Sequence, residues 1–143
     1  MRILALDIGE RRIGVAVSDP SGTLAASVSV IERRSRREDF AAVAELVRGY
    51  GAEKVVVGHP RSMDGTIGPQ ARRVERYATA LAKALDVPVV LWDERLSTVS
   101  AERLMREAGL GEEERRERVD AVAAAVILQD YLDAQQGGQQ NAQ

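Results

Sequence analysis

The spacing of apolar residues changes several times along the chain, and each change marks an element. Ile3, Leu4, Ala5, Leu6 and Ile8 form an apolar run that only Asp7 interrupts and that Gly9 closes. A run this short and rich in β-formers reads as a buried strand. Ile13 to Ser18 is a second strand, and the Glu10-Arg11-Arg12 link between them has hairpin length. Asp19-Pro20-Ser21-Gly22 is a strong turn signal, and a third strand covers about Ala26 to Ile31. The period then becomes helical. Ser35 and Glu38 fit a capping box. Phe40, Val43, Ala44 and Val47 follow at helical spacing, and Gly51 ends the helix. Lys54 to Gly58 is a short buried strand, and His59 to Gly68 a loop. Pro69 suits a first helical turn, with Val74, Tyr77, Ala78, Leu81 and Leu85 carrying the helix to about Asp86. Pro88 to Trp92 is a fifth strand. A helix capped near Ser97 and ending at Gly109, a charged connection from Gly111 to Arg118, and a helix from about Val119 to Ala134 complete the pattern. Gln135 to Gln143, rich in Gly and Gln, reads as a disordered tail.

Three strands with short turns, followed by strands that alternate with helices, predict an α/β fold. The sheet is mixed and five-stranded, a three-strand antiparallel meander plus two parallel strands, with helices on both faces. At 143 residues, the chain suits a single domain over residues 1–134.

Composition removes several chemistries. The chain has no cysteine and one histidine, His59, which excludes disulfides and thiolate catalysis and argues against a histidine-based zinc site. Its longest apolar run, Ala121 to Leu128, is far too short to span a bilayer. No signal-peptide pattern precedes the first strand, so a cytoplasmic protein with no membrane partner is expected. The net charge of −2 gives no global basic field, yet every basic residue except Lys54 and Lys83 is arginine. The arginines cluster as Arg11–Arg12, as Arg33–Arg34 with Arg36–Arg37, and as Arg72–Arg73 with Arg76. Arginine is the better bidentate phosphate partner, although solvated helix faces would look the same.

Three carboxylates sit where a carboxylate is unexpected. Asp7 lies inside the first strand, Glu94 follows the V-V-L-W run of the fifth, and Asp120 opens an apolar helix. An ionised carboxylate inside a buried strand costs several kcal/mol unless it is paired. Arg11 or Arg12 can supply an ion pair; the alternative is a metal-binding or phosphate-directed group. For Asp120, a favourable helix-start position is the competing explanation. Asp93 points away from Glu94 in an extended segment. Strands one, four and five would run parallel, so their carboxyl ends share the edge along which sites in open α/β sheets form. Gly9 and Gly14 leave room there for a close approach. Hard oxygen ligands without His or Cys suit Mg²⁺ or Mn²⁺. Two such ions about 4 Å apart serve phosphodiester hydrolysis.

Four blocks of sequence carry a resemblance. L-A-L-D-I-G with Gly14, V-G-H-P-R-S-M-D-G-T-I-G-P, D-E-R-L-S-T and V-D-A-V-A-A-A-V-I-L-Q-D-Y-L are similar, in order and spacing, to the YqgF/RuvX family of ribonuclease H-like proteins, over residues 2–132. The resemblance implies a ribonuclease H-like fold. It implies a metal-dependent nuclease acting on structured nucleic acid, in maturation of pre-16S ribosomal RNA or in Holliday junction resolution. The family's acidic triad falls on Asp7, Glu94 and Asp120. Where the family pattern has Leu-Pro and an Asn near the glycine loop, this chain has His59, Pro60, Arg61 and Ser62. Arg11, His59, Arg61, Arg72 and Arg95 are candidate substrate contacts. Ser62 with His59 makes no hydrolase triad, because no nucleophile elbow is present. The implied partner is structured RNA or branched DNA, and a homodimer would suit a two-fold junction. Two other classes compete. One is a non-catalytic nucleic-acid-binding module of ribosome assembly on the same fold. The other is a nucleotide-binding protein of the actin and sugar-kinase type, which needs two such domains; no Walker-type lysine loop is present.

Overall fold

The structure is a computed structural model that describes residues 1–62, 64–93 and 112–141, the last segment as backbone alone at 112–121 and 137–141. The strands are β1 (Ile3–Ile8), β2 (Arg12–Ser18), β3 (Ala25–Glu32), β4 (Lys54–His59) and β5 (Val89–Asp93). The helices are α1 (Arg36–Tyr50), α2 (Pro69–Ala84) and α3 (Glu112–Asn141). The strands form one sheet in the order β3-β2-β1-β4-β5. The β1–β2 and β2–β3 pairs are antiparallel, and β1–β4 and β4–β5 are parallel. The mixed sheet expected from the sequence is the one observed.

Its central strand is buried on both faces, which explains the apolar run. Side chains alternate along a strand. Leu4, Leu6 and Ile8 join Val15, Val17, Val55 and Val57 beneath Val43 and Val47 of α1 and Val74 and Leu81 of α2. Ile3 and Ala5 join Ala16 and Val56 against Ala124, Ile127 and Leu128 of α3. Each fully buried aliphatic side chain contributes about 1.5–3 kcal/mol, so both layers are needed to hold β1 flat between them. Polar contacts fix α3 along the sheet. Gln129 accepts from the Ala25 backbone N–H at 3.0 Å and donates to the Thr23 carbonyl at 3.0 Å. Trp92 Nε1 donates to Asp130 at 2.9 Å.

The turn chemistry follows the residues. Ser35 caps α1 by accepting from the Glu38 N–H, and Gly51 ends it at φ +65°, with N–H groups of Gly51 and Ala52 returning to Arg48 and Val47. The Asp19 carboxylate accepts from the backbone of Thr23 and Leu24 and from the Ser21 hydroxyl. Several boundaries differ from the sequence expectation by a residue or two, and two differences change the reading. His59 belongs to the end of β4 and not to the loop after it. The last helix extends at both ends of the expected Val119–Ala134 span; the Glu/Arg-rich segment before it is made of good helix formers, and after it the helix continues through Gly137 and Gly138. The helix expected between Ser97 and Gly109 lies outside the described residues.

One buried carboxylate organises the α1–α2 junction. Asp39 is 3% exposed. It accepts from the Arg34 N–H at 3.0 Å and from the Tyr77 hydroxyl at 3.1 Å, and Arg33 Nε lies 3.8 Å away. The Tyr77 ring meets Phe40 edge-on at 5.0 Å and lies under the guanidinium of Arg33 at 4.8 Å. Burial, and then the charge of Asp39, push the Tyr77 phenol well above its ordinary 10, so it stays a donor. The folded state therefore holds this proton more tightly than the unfolded chain. Its contribution is full below pH 10 and is lost as pH rises past that value. Tyr77→Phe is expected to cost about 1–3 kcal/mol at neutral pH, by leaving a buried acceptor short of a donor. It should also lose less stability than wild type between pH 9 and about 11. Denaturant melts across that range check both.

Candidate active site

Asp7 is the described member of the acidic set. It sits one residue before the end of β1, paired across the antiparallel ladder with Gly14. Alternation along β1 puts it on the same face as Ile3 and Ala5, beneath α3. It is half-buried, and its neighbour on β2 has no side chain to crowd it. Glu94 and Arg95 lie outside the described residues; Glu94 follows directly on Asp93, the last residue of β5. Trp92 packs on the α3 face, so Asp93 takes the opposite one. Asp120 is described as helix backbone. It lies one turn ahead of Ala124, which packs on the α3 face of the sheet. Gln129 grips the start of β3, at the edge where β1 begins. The preceding nine residues of α3, about 14 Å of helix, run back toward the edge where β1 ends. Among the described residues no three His, Cys, Asp or Glu side chains gather as a cation site.

The expected substrate contacts separate in space. His59 is 2% exposed and faces α2, away from Asp7. Arg61 Nε donates to His59 Nδ1 at 3.0 Å. A nitrogen that accepts carries no proton, so a neutral ring holds its proton on Nε2. That nitrogen lies 2.9 Å from Glu75 Oε1 of α2. The distance makes Glu75 the partner of Nε2, but the angle falls short of a well-formed hydrogen bond. His59 thus ties the end of β4 to α2 and has no open path to a phosphate. Arg11 is exposed on the β1–β2 turn, and Arg72 is exposed on α2. The arginine clusters assemble differently from the sequence expectation. Arg33, Arg36, Arg73 and Arg76 line one cleft beside Ile8 and Gly9, and Arg72 does not. Part of the signal was available, since Arg73 and Arg76 stand three residues apart in α2 and so share a helical side; Arg33 precedes the Ser35 cap of α1, and its meeting with Arg36 depends on the β3–α1 junction.

The fold defines a class. The chain superposes on Thermus thermophilus RuvC, solved with a Holliday junction substrate, at a TM-score of 0.59, with 20% identity over 96% of this chain and 97% of that one. It superposes on the fowlpox virus resolvase in complex with Holliday junction DNA at 0.54, with 11% identity over 94% and 98%. This is the ribonuclease H-like fold. Sequence then narrows the class. The model of the RuvX family, described as Holliday junction resolvase, matches residues 1–134, and the chain belongs to that family. A relative from Moorella thermoacetica is 50% identical over 133 residues, 93% of this chain and 95% of its own. One from Symbiobacterium thermophilum is 50% identical over 134 residues, 94% and 93%. Both are named as candidate pre-16S rRNA nucleases.

Because His59 is buried away from Asp7, His59→Gln is expected to act on stability. A loss of about 1–3 kcal/mol is expected from the broken polar contacts, with activity per folded molecule within about threefold of wild type. Thermal melts beside active-site-normalised rates measure the two effects separately.

Proposed function

We propose that this protein is a divalent-metal-dependent nuclease that hydrolyses phosphodiester bonds in structured nucleic acid, with Asp7, Glu94 and Asp120 as its acidic residues. The observation that carries the reading is the position of Asp7. It is a half-buried carboxylate at the carboxyl end of the central strand, opposite a glycine and under α3. Binding sites in open α/β sheets form at that edge. Family membership supports phosphodiester hydrolysis, and the relatives' names support a pre-ribosomal RNA substrate. Branched DNA is the other candidate.

The donor chemistry fits a hard cation. The chain's one histidine faces away from Asp7 and there is no cysteine, leaving oxygen donors, which suit Mg²⁺ or Mn²⁺. When bound, such ions activate water and stabilise charge on the phosphoryl and leaving oxygens. The chain's part is to hold the carboxylates still. β1 is paired on both sides, so Asp7 has little freedom to retreat from a phosphate. Gly14 leaves room for a backbone to approach. Ala124 and Ile127 of α3 cover Ala5 and Ala16 next to the site, which excludes water from one side and strengthens charge interactions there. No helix among the described residues is long and apolar enough to cross a membrane.

The test is cleavage of four-way junctions, duplexes, single strands and precursor ribosomal RNA in Mg²⁺, Mn²⁺ or EDTA. Cleavage is expected with metal and none in EDTA; rigorously purified protein that still cleaves in EDTA would overturn the metal requirement. Asp7→Asn is expected to lower the rate at least 10³-fold without unfolding the protein. In melts, Mg²⁺ at 100 times its Kd should stabilise wild type by about 2.7 kcal/mol, and the variant by less. A variant that melts far below wild type in EDTA, yet still cleaves, would make Asp7 a structural ion-pair partner.

A further inference from the structure

We infer that the arginine cleft on the α1–α2 side of the sheet is a second phosphate site, one that grips the sugar-phosphate backbone of a nucleic-acid strand away from the point of cleavage. The cleft has a volume of about 240 Å³. Arg33 and Arg36 reach it from the β3–α1 junction, and Arg73 and Arg76 from α2. Among the described residues lining the cleft the one carboxylate is Glu10, on the rim; Asp39, buried behind, is already engaged by Tyr77 and the Arg34 backbone. Neither Arg73 nor Arg76 has an ion pair among the described residues. Leaving like charges together without an anion is unfavourable, and a phosphate relieves it. The start of α2 adds to the field. Its N-cap, Gly68, offers no side-chain cap, and Gln70 of the first turn lines the cleft, so uncapped N–H groups and the helix dipole favour an anion there.

Three observations select a nucleic-acid strand over a small phosphorylated molecule. Glu10, Arg36, Gln70, Arg73 and Arg76 are all exposed, so the cleft is open-sided and admits a chain that continues both ways. Its one aromatic, Tyr77, is 3% exposed and covered by Arg33 and Arg36, so nothing there stacks on a base; the cleft reads charge, not sequence. Finally, Ile8 and Gly9 line it, while Asp7, the residue before them, faces the other side of the sheet. The two sites lie back to back across the carboxyl end of β1, about one layer, ~10 Å, apart. A strand crossing that edge past the β1–β2 turn reaches both.

The scaffold of the cleft is rigid. Arg33 Nη1 donates to the Gly9 carbonyl at 2.6 Å, and the Arg33 N–H donates to the Arg11 carbonyl at 2.8 Å. A Cβ on Gly9 would lie 3.0 Å from the Arg12 carbonyl, so a larger residue there would have to push the tight turn open by a few tenths of an ångström. Arg33 and the turn are thus scaffold, and Arg73 and Arg76 are the adaptable grips.

The inference rests on the proposed cleavage site only for the direction of the strand, and binding measured without cleavage keeps the two apart. The experiment is the affinity of a labelled single-stranded oligonucleotide and of a four-way junction in EDTA, from 50 to 300 mM KCl. It compares wild type, Arg73→Gln/Arg76→Gln, Glu10→Gln and, as a control, Arg48→Gln at the far end of α1. The double variant is expected to lose about tenfold in affinity at 100 mM salt. Its slope of log K against log salt should be shallower by about 1–1.5, since each lost single-strand phosphate contact removes about 0.7. Glu10→Gln should tighten binding, and Arg48→Gln should change nothing. An unchanged slope in the double variant, or an equal loss in Arg48→Gln, would overturn the inference in favour of a diffuse field. In a parallel arm, micromolar stabilisation by ATP or inorganic phosphate that vanishes in the double variant would assign the cleft to a small molecule and overturn it too. Failure of wild type to cleave any substrate would count against the proposed function and leave the binding result standing.

Discussion

The burial of β1 on both faces is the constraint on which the rest of the structure depends. A six-residue strand paired on one side with β2 and on the other with β4 must send alternate side chains into two different apolar layers. Leu4, Leu6 and Ile8 go to α1 and α2; Ile3 and Ala5 go to α3. Asp7 inherits its position from this alternation. A slip of one residue would put three large aliphatic side chains on the α3 face and turn Asp7 toward α2. The packing of two cores therefore also fixes which face carries the carboxylate.

The same constraint explains how much was legible in the sequence. The runs of β1, β2 and β4 gave their strands directly, and the Ser35–Glu38 cap and Gly51 gave α1 with its ends. Asp7 stood out because a carboxylate among β-formers is conspicuous. His59 was harder. Read one residue at a time, it belongs to a loop; only the parallel pairing of β4 with β5, which reaches His59 and Asp93, extends the strand and turns the ring toward α2. Asp39 was not legible at all. In the sequence it is an acidic residue in a first helical turn, a position favoured by the helix dipole alone. Its burial depends on Tyr77, 38 residues away. The arginine cleft was half legible: the clusters are plain, but which members converge depends on how α1 and α2 lie against β1.

Polar groups in the α1–α2 layer divide into two kinds. Asp39 and Tyr77 bond each other, and His59 lies against Glu75 while accepting from Arg61; these internal contacts set the positions of α1, α2 and the end of β4. Arg73 and Arg76 make no such internal pairs among the described residues and face outward. The first kind builds the scaffold and the second is free for a partner. The α3 layer differs, being apolar where it covers Ala5 and Ala16 and carrying the Asp7 carboxylate at the end of β1. On the proposed reading, the sheet separates a cation-binding face from an anion-binding face, both opening at the carboxyl end of one strand.

The central claim is that the carboxylate on the α3 face of β1 exists to hold a divalent cation. Crystals of the wild-type protein soaked in Mn²⁺ test it most directly, because anomalous scattering locates the ion without reference to activity. The account predicts a Mn²⁺ peak in contact with the Asp7 carboxylate, with Glu94 and Asp120 converging on it, and no such peak in Asp7→Asn crystals. Mn²⁺ bound only elsewhere, with Asp7 closed on Arg11 or Arg12 as an ion pair, would contradict it.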